Sequence, residues 1–116
     1  MKQIYQRGAI VEVDLGLPPE AIKGHEQAKQ RPCVVVKAFN NLQLAVVLPI
    51  TTKEPPHYLY TFVQLAKGTA GLTQDSYVLC HQIRTISFDR MKRKRGKLAQ
   101  RDWLKIQGVL LDALEL

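Results

Sequence analysis

Residues 32–50 read PCVVVKAFNNLQLAVVLPI. Two continuous β-branched or apolar runs, Pro32 to Phe39 and Leu42 to Ile50, flank the dipeptide Asn40-Asn41. Runs of this length and character read as buried strands. Asn tolerates positive φ, so Asn40-Asn41 predicts a tight turn and the two runs a buried hairpin. In a hairpin closed there, the start of the first strand lies beside the end of the second. Arg31, immediately before the first run, is then a neighbour of Thr51, immediately after the second.

On either side of the hairpin the pattern stays strand-like. In Gly8 to Leu15, Val11, Val13 and Leu15 alternate with Glu12 and Asp14, the period of two of a half-buried strand. Gly16 to Gln30 is rich in Pro, Gly and charge, and long irregular segments in small domains are often functional. After a polar loop at Thr51 to His57, Tyr58 to Leu65 alternates again, with Tyr58, Tyr60 and Phe62 opposed to Leu59, Thr61 and Val63. A turn at Lys67 to Gly71 leads to Ser76 to Ile86, which reads as a strand pair or one bent strand. Only the tail changes period: Trp103, Ile106, Leu110 and Leu114 fall three or four apart, the stripe of one amphipathic helix, with Trp103 in the core and Arg101 and Lys105 outward. The expectation is a mainly β fold, a small barrel of five or more strands with one α-helix packed on it. The 116 residues make one domain, 1–116, with no repeat or linker.

Composition narrows the function. Hydrophobic residues make up 46% and charged residues 23%, a globular balance. No apolar stretch approaches the roughly 18 residues of a membrane helix. The opening MKQIYQRG lacks the apolar core of a secretion signal, so the expected compartment is the cytoplasm. Cys33 and Cys80, the only cysteines, each lie in an apolar run and read as buried reduced thiols. His25, His57 and His81 are widely separated and no cysteine pair has ligand spacing, so neither metal nor cofactor is expected. The net charge of +7 is concentrated between Arg90 and Lys105, which favours an anionic partner, nucleic acid before membrane. The run from Arg90 to Lys97 reads as a surface that steers RNA, meets an acidic protein, or is a solvated loop.

Three polar clusters sit where strands meet loops. The first is Gly24-His25-Glu26-Gln27-Ala28-Lys29-Gln30-Arg31-Pro32, the second Pro49-Ile50-Thr51-Thr52, the third Asp75-Ser76 leading to His81-Gln82-Ile83-Arg84-Thr85. Taken alone, Arg31 reads as a strand cap paired with Glu26, Thr51 as a β-branched strand residue with Thr52 the active hydroxyl, and Gln82 and Arg84 as strand anchors.

Taken together, GxEQxxxRP before an apolar strand, PITT at a strand end and DSxxLxxQIRT before a C-terminal helix resemble the MazF/PemK toxin endoribonucleases, from Gly8 to about Leu114. The resemblance implies a compact SH3-like barrel with a C-terminal helix, acting as a homodimer. It implies metal-independent cleavage of single-stranded mRNA at a short sequence, leaving a 2′,3′-cyclic phosphate and a 5′-hydroxyl. The implied partner is a cognate antitoxin with an acidic, initially disordered tail, through which alone DNA would be met. Carried over by position, the family's catalytic Arg falls on Arg31, its catalytic Thr on Thr51, its acidic loop residue on Glu26 and its strand glutamine on Gln82. Gln27, Lys29, Thr52, His81 and Arg84 are the accompanying RNA-contact candidates. His81 departs from the acidic residue many members carry there, and His25 from a common Ser.

The chemistry agrees independently. RNA supplies its own nucleophile, the 2′-hydroxyl, so the protein needs only to align it and to stabilise charge on the phosphoryl oxygens. Arg suits that task because its planar fork of donors matches phosphate. It cannot serve as base, having a pKa above about 12, and Glu26 or His25 is the expected proton acceptor. Two other classes fit such a fold: a CcdB-like gyrase-binding toxin and a non-catalytic module that binds RNA or antitoxin. Against the first, this chain ends Leu-Glu-Leu rather than Trp-Gly-Ile; against the second, it retains Arg31, Thr51, Glu26 and Gln27 together.

Overall fold

The predicted hairpin is the centre of the molecule. The computed structural model describes residues 4–16 and 30–116. Within it β2 (Gln30–Phe39) and β3 (Leu44–Thr51) pair antiparallel, from Phe39 opposite Leu44 to Cys33 opposite Pro49. The connection is longer than a two-residue turn. Leu42 N–H donates to Phe39 O at 2.9 Å, and the positive φ falls on Gln43 (55°), not on an asparagine. Asn40 has another task, its Oδ1 accepting the Tyr5 backbone N–H at 3.1 Å. That bond ties the N-terminal segment to the hairpin tip.

β1 (Ala9–Asp14) pairs with the free edge of β2, and β7 (Met91–Lys97) pairs with β1. On the other flank, β6 (Arg84–Ser87) pairs with the beginning of β3 and β5 (Ser76–Leu79) with its end; β4 (Phe62–Leu65) lies beyond β5. Ser76 to Ile86 is therefore one bent path along β3, broken by a single 3₁₀ turn at Cys80–Gln82. The result is a seven-stranded antiparallel sheet with one helix among the described residues, α1 (Gln100–Ala113), the mainly β fold expected.

Strand alternation gives the sheet two cores, one per face. Ile10, Val34, Leu48, Ile50 and Val78 point to the side covered by α1, which inserts Ile106 and Leu110. Val11, Val13, Cys33, Val35 and Val47 point to the other, closed by Tyr5, Phe88 and Met91. Tyr5 and Phe88 meet edge to face, with centroids 4.7 Å apart. Each fully buried Ile or Leu contributes on the order of 2–3 kcal/mol.

Three expectations need correction. The strand expected over Tyr58–Leu65 begins only at Phe62. Tyr58 and Tyr60 are 72% and 83% exposed, because Pro55-Pro56 diverts the chain and Leu59 N–H closes a turn onto Pro56 O. The basic run is not a loop: as β7 it is an edge strand that buries Met91 and leaves Lys92, Arg93 and Lys94 exposed. Cations along an edge discourage pairing with other chains. In the tail, Leu114 lies past the helix and is exposed, while Trp103 is half-buried at the edge of the core, with the Arg7 guanidinium 5.5 Å from its ring centroid. No helix among the described residues is long and apolar enough to cross a membrane.

Candidate active site

Arg31 is the second residue of β2, and β1 pairs with its backbone. It lies across from Val13 in the β1–β2 ladder. The β2–β3 ladder ends at Cys33 opposite Pro49, two residues short of Arg31 on β2 and of Thr51 on β3. The side chain reaches toward β3: Arg31 Nη1 approaches Ile50 O at 3.5 Å, at the limit of a hydrogen bond. The Arg31 Nε is buried and has no partner among the described residues. A guanidinium held this way is costly to leave unpaired. Burial accordingly lowers the Arg31 pKa from its usual value, with the nearby Cys33 opposing that shift. The group retains ample basicity to stay charged.

Thr51 ends β3 and is 8% exposed. Its Oγ1 accepts the Lys53 backbone N–H at 3.1 Å, which fixes the rotamer and turns the chain into the loop after the strand. Thr52 is exposed. Thr51 lines a cleft of about 320 Å³ together with Glu54, Leu59, His81 and Gln82. The expected strand glutamine is thus on the 3₁₀ turn Cys80–Gln82: Cys80 points into the core, and His81 and Gln82 project into the cleft. His81 Nδ1 is held by Thr61 Oγ1 at 2.8 Å.

Arg84 is exposed and lies opposite Val47 in the β3–β6 ladder, on the face that carries Cys33 and Thr51. The Cys33 thiol is pushed up to about 12, chiefly by burial, against the charges of Arg84 and Arg31. Burial likewise pushes Cys80 up to about 11. Both thiols are therefore neutral and unreactive at physiological pH, in keeping with buried free cysteines.

The structure thus brings Thr51, His81 and Gln82 together in one cleft, while Arg31 approaches the carbonyl of Ile50, beside Thr51, and Arg84 lies on β6 opposite Val47, outside the cleft lining. His25, Glu26, Gln27 and Lys29 lie outside the described residues. Asp75 and Ser76 serve the fold instead: Asp75 Oδ1 accepts the Lys67 N–H at 2.8 Å, and buried Ser76 donates to Gln74 O at 2.8 Å. Glu54 and Leu59 were missed as cleft residues. Their only signal was a place in the polar segment following Thr51. No group of three or more His, Cys, Asp or Glu among the described residues could hold a metal ion.

Residues 6–114 match the family described as PemK-like, MazF-like toxin of type II toxin-antitoxin system, and the chain belongs to that family. It is 26% identical over 108 residues to the Endoribonuclease MazF of Staphylococcus saprophyticus, covering 90% of this chain and 87% of the relative. Among solved structures, MazF from Deinococcus radiodurans superposes with a TM-score of 0.75 at 22% identity, covering 98% of this chain and 99% of that one. An endoribonuclease in complex with its cognate antitoxin, from a mycobacterial species, superposes with a TM-score of 0.74 at 22% identity and 97% coverage of both chains. At such identities these structures bear on the fold alone.

Proposed function

We propose that this protein is the toxin of a toxin–antitoxin pair and cuts single-stranded mRNA as a metal-independent, sequence-specific endoribonuclease. The observation that carries this reading is Arg31: half-buried, its Nε unsatisfied and its other donors nearly free among the described residues, with Thr51 just beyond the same end of the β2–β3 ladder. A rigid cation with unspent donors is suited to an anion that arrives with the substrate. The name of the staphylococcal relative supports the activity, and the mycobacterial complex supports an antitoxin as partner.

In the reaction, the ribose 2′-oxygen bonds to phosphorus as the bond from phosphorus to the 5′-oxygen breaks. The 2′-hydroxyl proton passes to Glu26 or His25, and the 5′-oxygen leaves as a hydroxyl after taking up a proton from water. Arg31 stabilises the charge that builds on the phosphoryl oxygens, and the Thr51 hydroxyl adds a hydrogen bond. Gln27, Lys29, Thr52, His81, Gln82 and Arg84 contact the RNA on either side of the scissile bond. The working form is a cytoplasmic homodimer of one domain, 1–116. An antitoxin with an acidic tail occupies the same groove, and DNA is reached only through it.

The test is incubation of purified protein with a long single-stranded RNA in EDTA, followed by mapping of the cut ends. The expected products carry 2′,3′-cyclic phosphates and 5′-hydroxyls at a recurring short sequence. Intact RNA, with DNA gyrase inhibited, would replace this reading with the CcdB-like one. Intact RNA without gyrase inhibition would leave a non-catalytic binding module.

A further inference from the structure

A second concavity lies away from Arg31 and Thr51. It is a groove of about 470 Å³ between the N-terminal segment, the end of β7 and the first turns of α1, lined by Arg7, Lys97, Gln100, Trp103, Leu104 and Gln107 among others. Its walls are tied together by backbone hydrogen bonds. Gly8 N–H donates to Val35 O at 2.8 Å, and Leu98 N–H donates to Gly8 O at 2.9 Å. The groove is therefore built into the sheet.

Its chemistry is specific. Arg7 Nε donates to Val36 O at 3.2 Å, which holds the guanidinium over the Trp103 ring, 5.5 Å from the centroid. A pinned guanidinium over an indole makes a flat cationic platform. Lys97 is oriented at the rim by a 2.8 Å bond from its Nζ to Gln6 Oε1. Among the described residues no carboxylate lines the groove, whereas two amides, Gln100 and Gln107, offer donors and acceptors together. Leu104, 52% exposed, supplies an apolar wall.

We infer that this groove binds a nucleotide of single-stranded RNA, with a base stacked on the Arg7–Trp103 platform and its phosphate at Lys97. The inference rests on the reading that RNA is the substrate, and gives the protein a second foothold on it. Single-stranded RNA is recognised by stacking on aromatic rings or guanidinium planes and by hydrogen bonds to base edges. An acidic peptide would use the two cations but would leave the platform and both amides without a purpose. Arg31 and Val36 are five residues apart on β2, about 17 Å at strand rise. The foothold is therefore separate from the scissile bond.

Trp103 is the only tryptophan, so its emission reports directly on the groove. Titration with a mixed-sequence 2′-O-methyl RNA oligonucleotide, which cannot be cleaved, should give a saturable change in that emission. Arg7→Lys, which keeps the charge but removes the flat plane, and Gln107→Ala should each weaken this binding by at least about tenfold. Both should fold and cut a very short RNA at the wild-type rate. Arg31→Ala should retain the emission change while losing cleavage, which separates failure of the foothold from failure of the nuclease reading. Unaltered emission on adding oligonucleotide would overturn the proposal. So would an equal response to polyglutamate, which would mark a protein-binding groove, or emission that follows protein concentration alone, which would mark a second copy closing it.

Discussion

Arg31 and Arg95 are both half-buried, and the Nε of each is buried without a partner among the described residues. Their remaining donors are used differently. Arg95 Nη1 reaches Glu12 Oε2 at 2.7 Å across β1 and β7, with side-chain exposures of 18% and 16%, and Nη2 donates to Gly71 O at 2.9 Å. The backbone is fitted to hold it there. Gly71 has φ +84°, and a Cβ on it would stand 2.4 Å from Arg95 O. Among the described residues, Arg31 has only the 3.5 Å approach to Ile50 O. One guanidinium is consumed in joining the 69–71 turn to the sheet, while the other is desolvated and, among the described residues, keeps its donors nearly unused. In a small domain, stored binding capacity of the second kind marks a site, and local charge alone does not.

The two arginines should lose opposite properties on substitution. Arg31→Ala should reduce RNA cleavage on the order of a thousandfold, the typical effect of losing a donor to a charged transition state. Arg31→Lys should recover little, because an ammonium cannot reproduce the planar fork. Neither should lower the melting temperature appreciably. Arg95→Ala should do the opposite, costing roughly 1–3 kcal/mol of stability by stranding Glu12. Its rate per folded molecule should be unchanged. Denaturant melts and single-turnover rates on the same preparations decide the matter. If Arg31→Ala proves mainly destabilising, Arg31 is a strand cap after all.

How much of this was visible beforehand depends on the range of the interactions. The β2–β3 hairpin was legible because Cys33–Val36 and Ala45–Leu48 are short, valine-rich apolar runs, a length and composition that favour strands over a buried helix. Hairpin geometry alone also put Arg31 and Thr51 at the same end of the two strands, two residues beyond the last pair of the ladder. The turn residue did not, since Asn40 is committed to Tyr5, a partner 35 residues away. Tyr58 to Thr61 alternates like a strand, but periodicity cannot tell whether a neighbouring strand is there to pair with it. β7 was hidden for the converse reason: Met91 is its one buried residue, and the strand is held by β1 and by a pair between Arg95 and Glu12, 83 residues apart. His81 and Gln82 were found as a cluster, but the kink that turns them into the cleft exists only because β5 and β6 pair with different parts of β3.

Substitutions at Thr51 should cost less than those at either arginine. Thr51→Val keeps the shape of the strand residue and deletes the hydroxyl that accepts the Lys53 N–H. About 1 kcal/mol of stability should go with that bond. Cleavage should fall by about tenfold or more, while Thr51→Ser retains most of both. Thr52→Val, at an exposed position, should leave both measurements close to wild type. The reverse ranking would move the active hydroxyl to Thr52 and loosen its coupling to Arg31.

The smallest expected effect concerns the cations beside Arg95. Lys92, Arg93 and Lys94 share its strand but are exposed. The Lys92 Nζ donates to the nearby Asp89 O at 3.2 Å, a bond within one local turn. Side chains placed this way add little to the fold, so their contribution is a screened field on approaching RNA. Replacing all three with glutamine should leave stability within about 0.5 kcal/mol. Binding of uncleavable RNA should weaken modestly at low salt, and its dependence on salt should flatten by about 0.7 in log–log slope for each phosphate no longer neutralised. An unchanged slope would show that these side chains only protect a sheet edge. A slope that flattens here but stays at the wild-type value in Arg31→Ala would separate two uses of positive charge: dispersed cations that gather RNA, and one desolvated cation that acts on it.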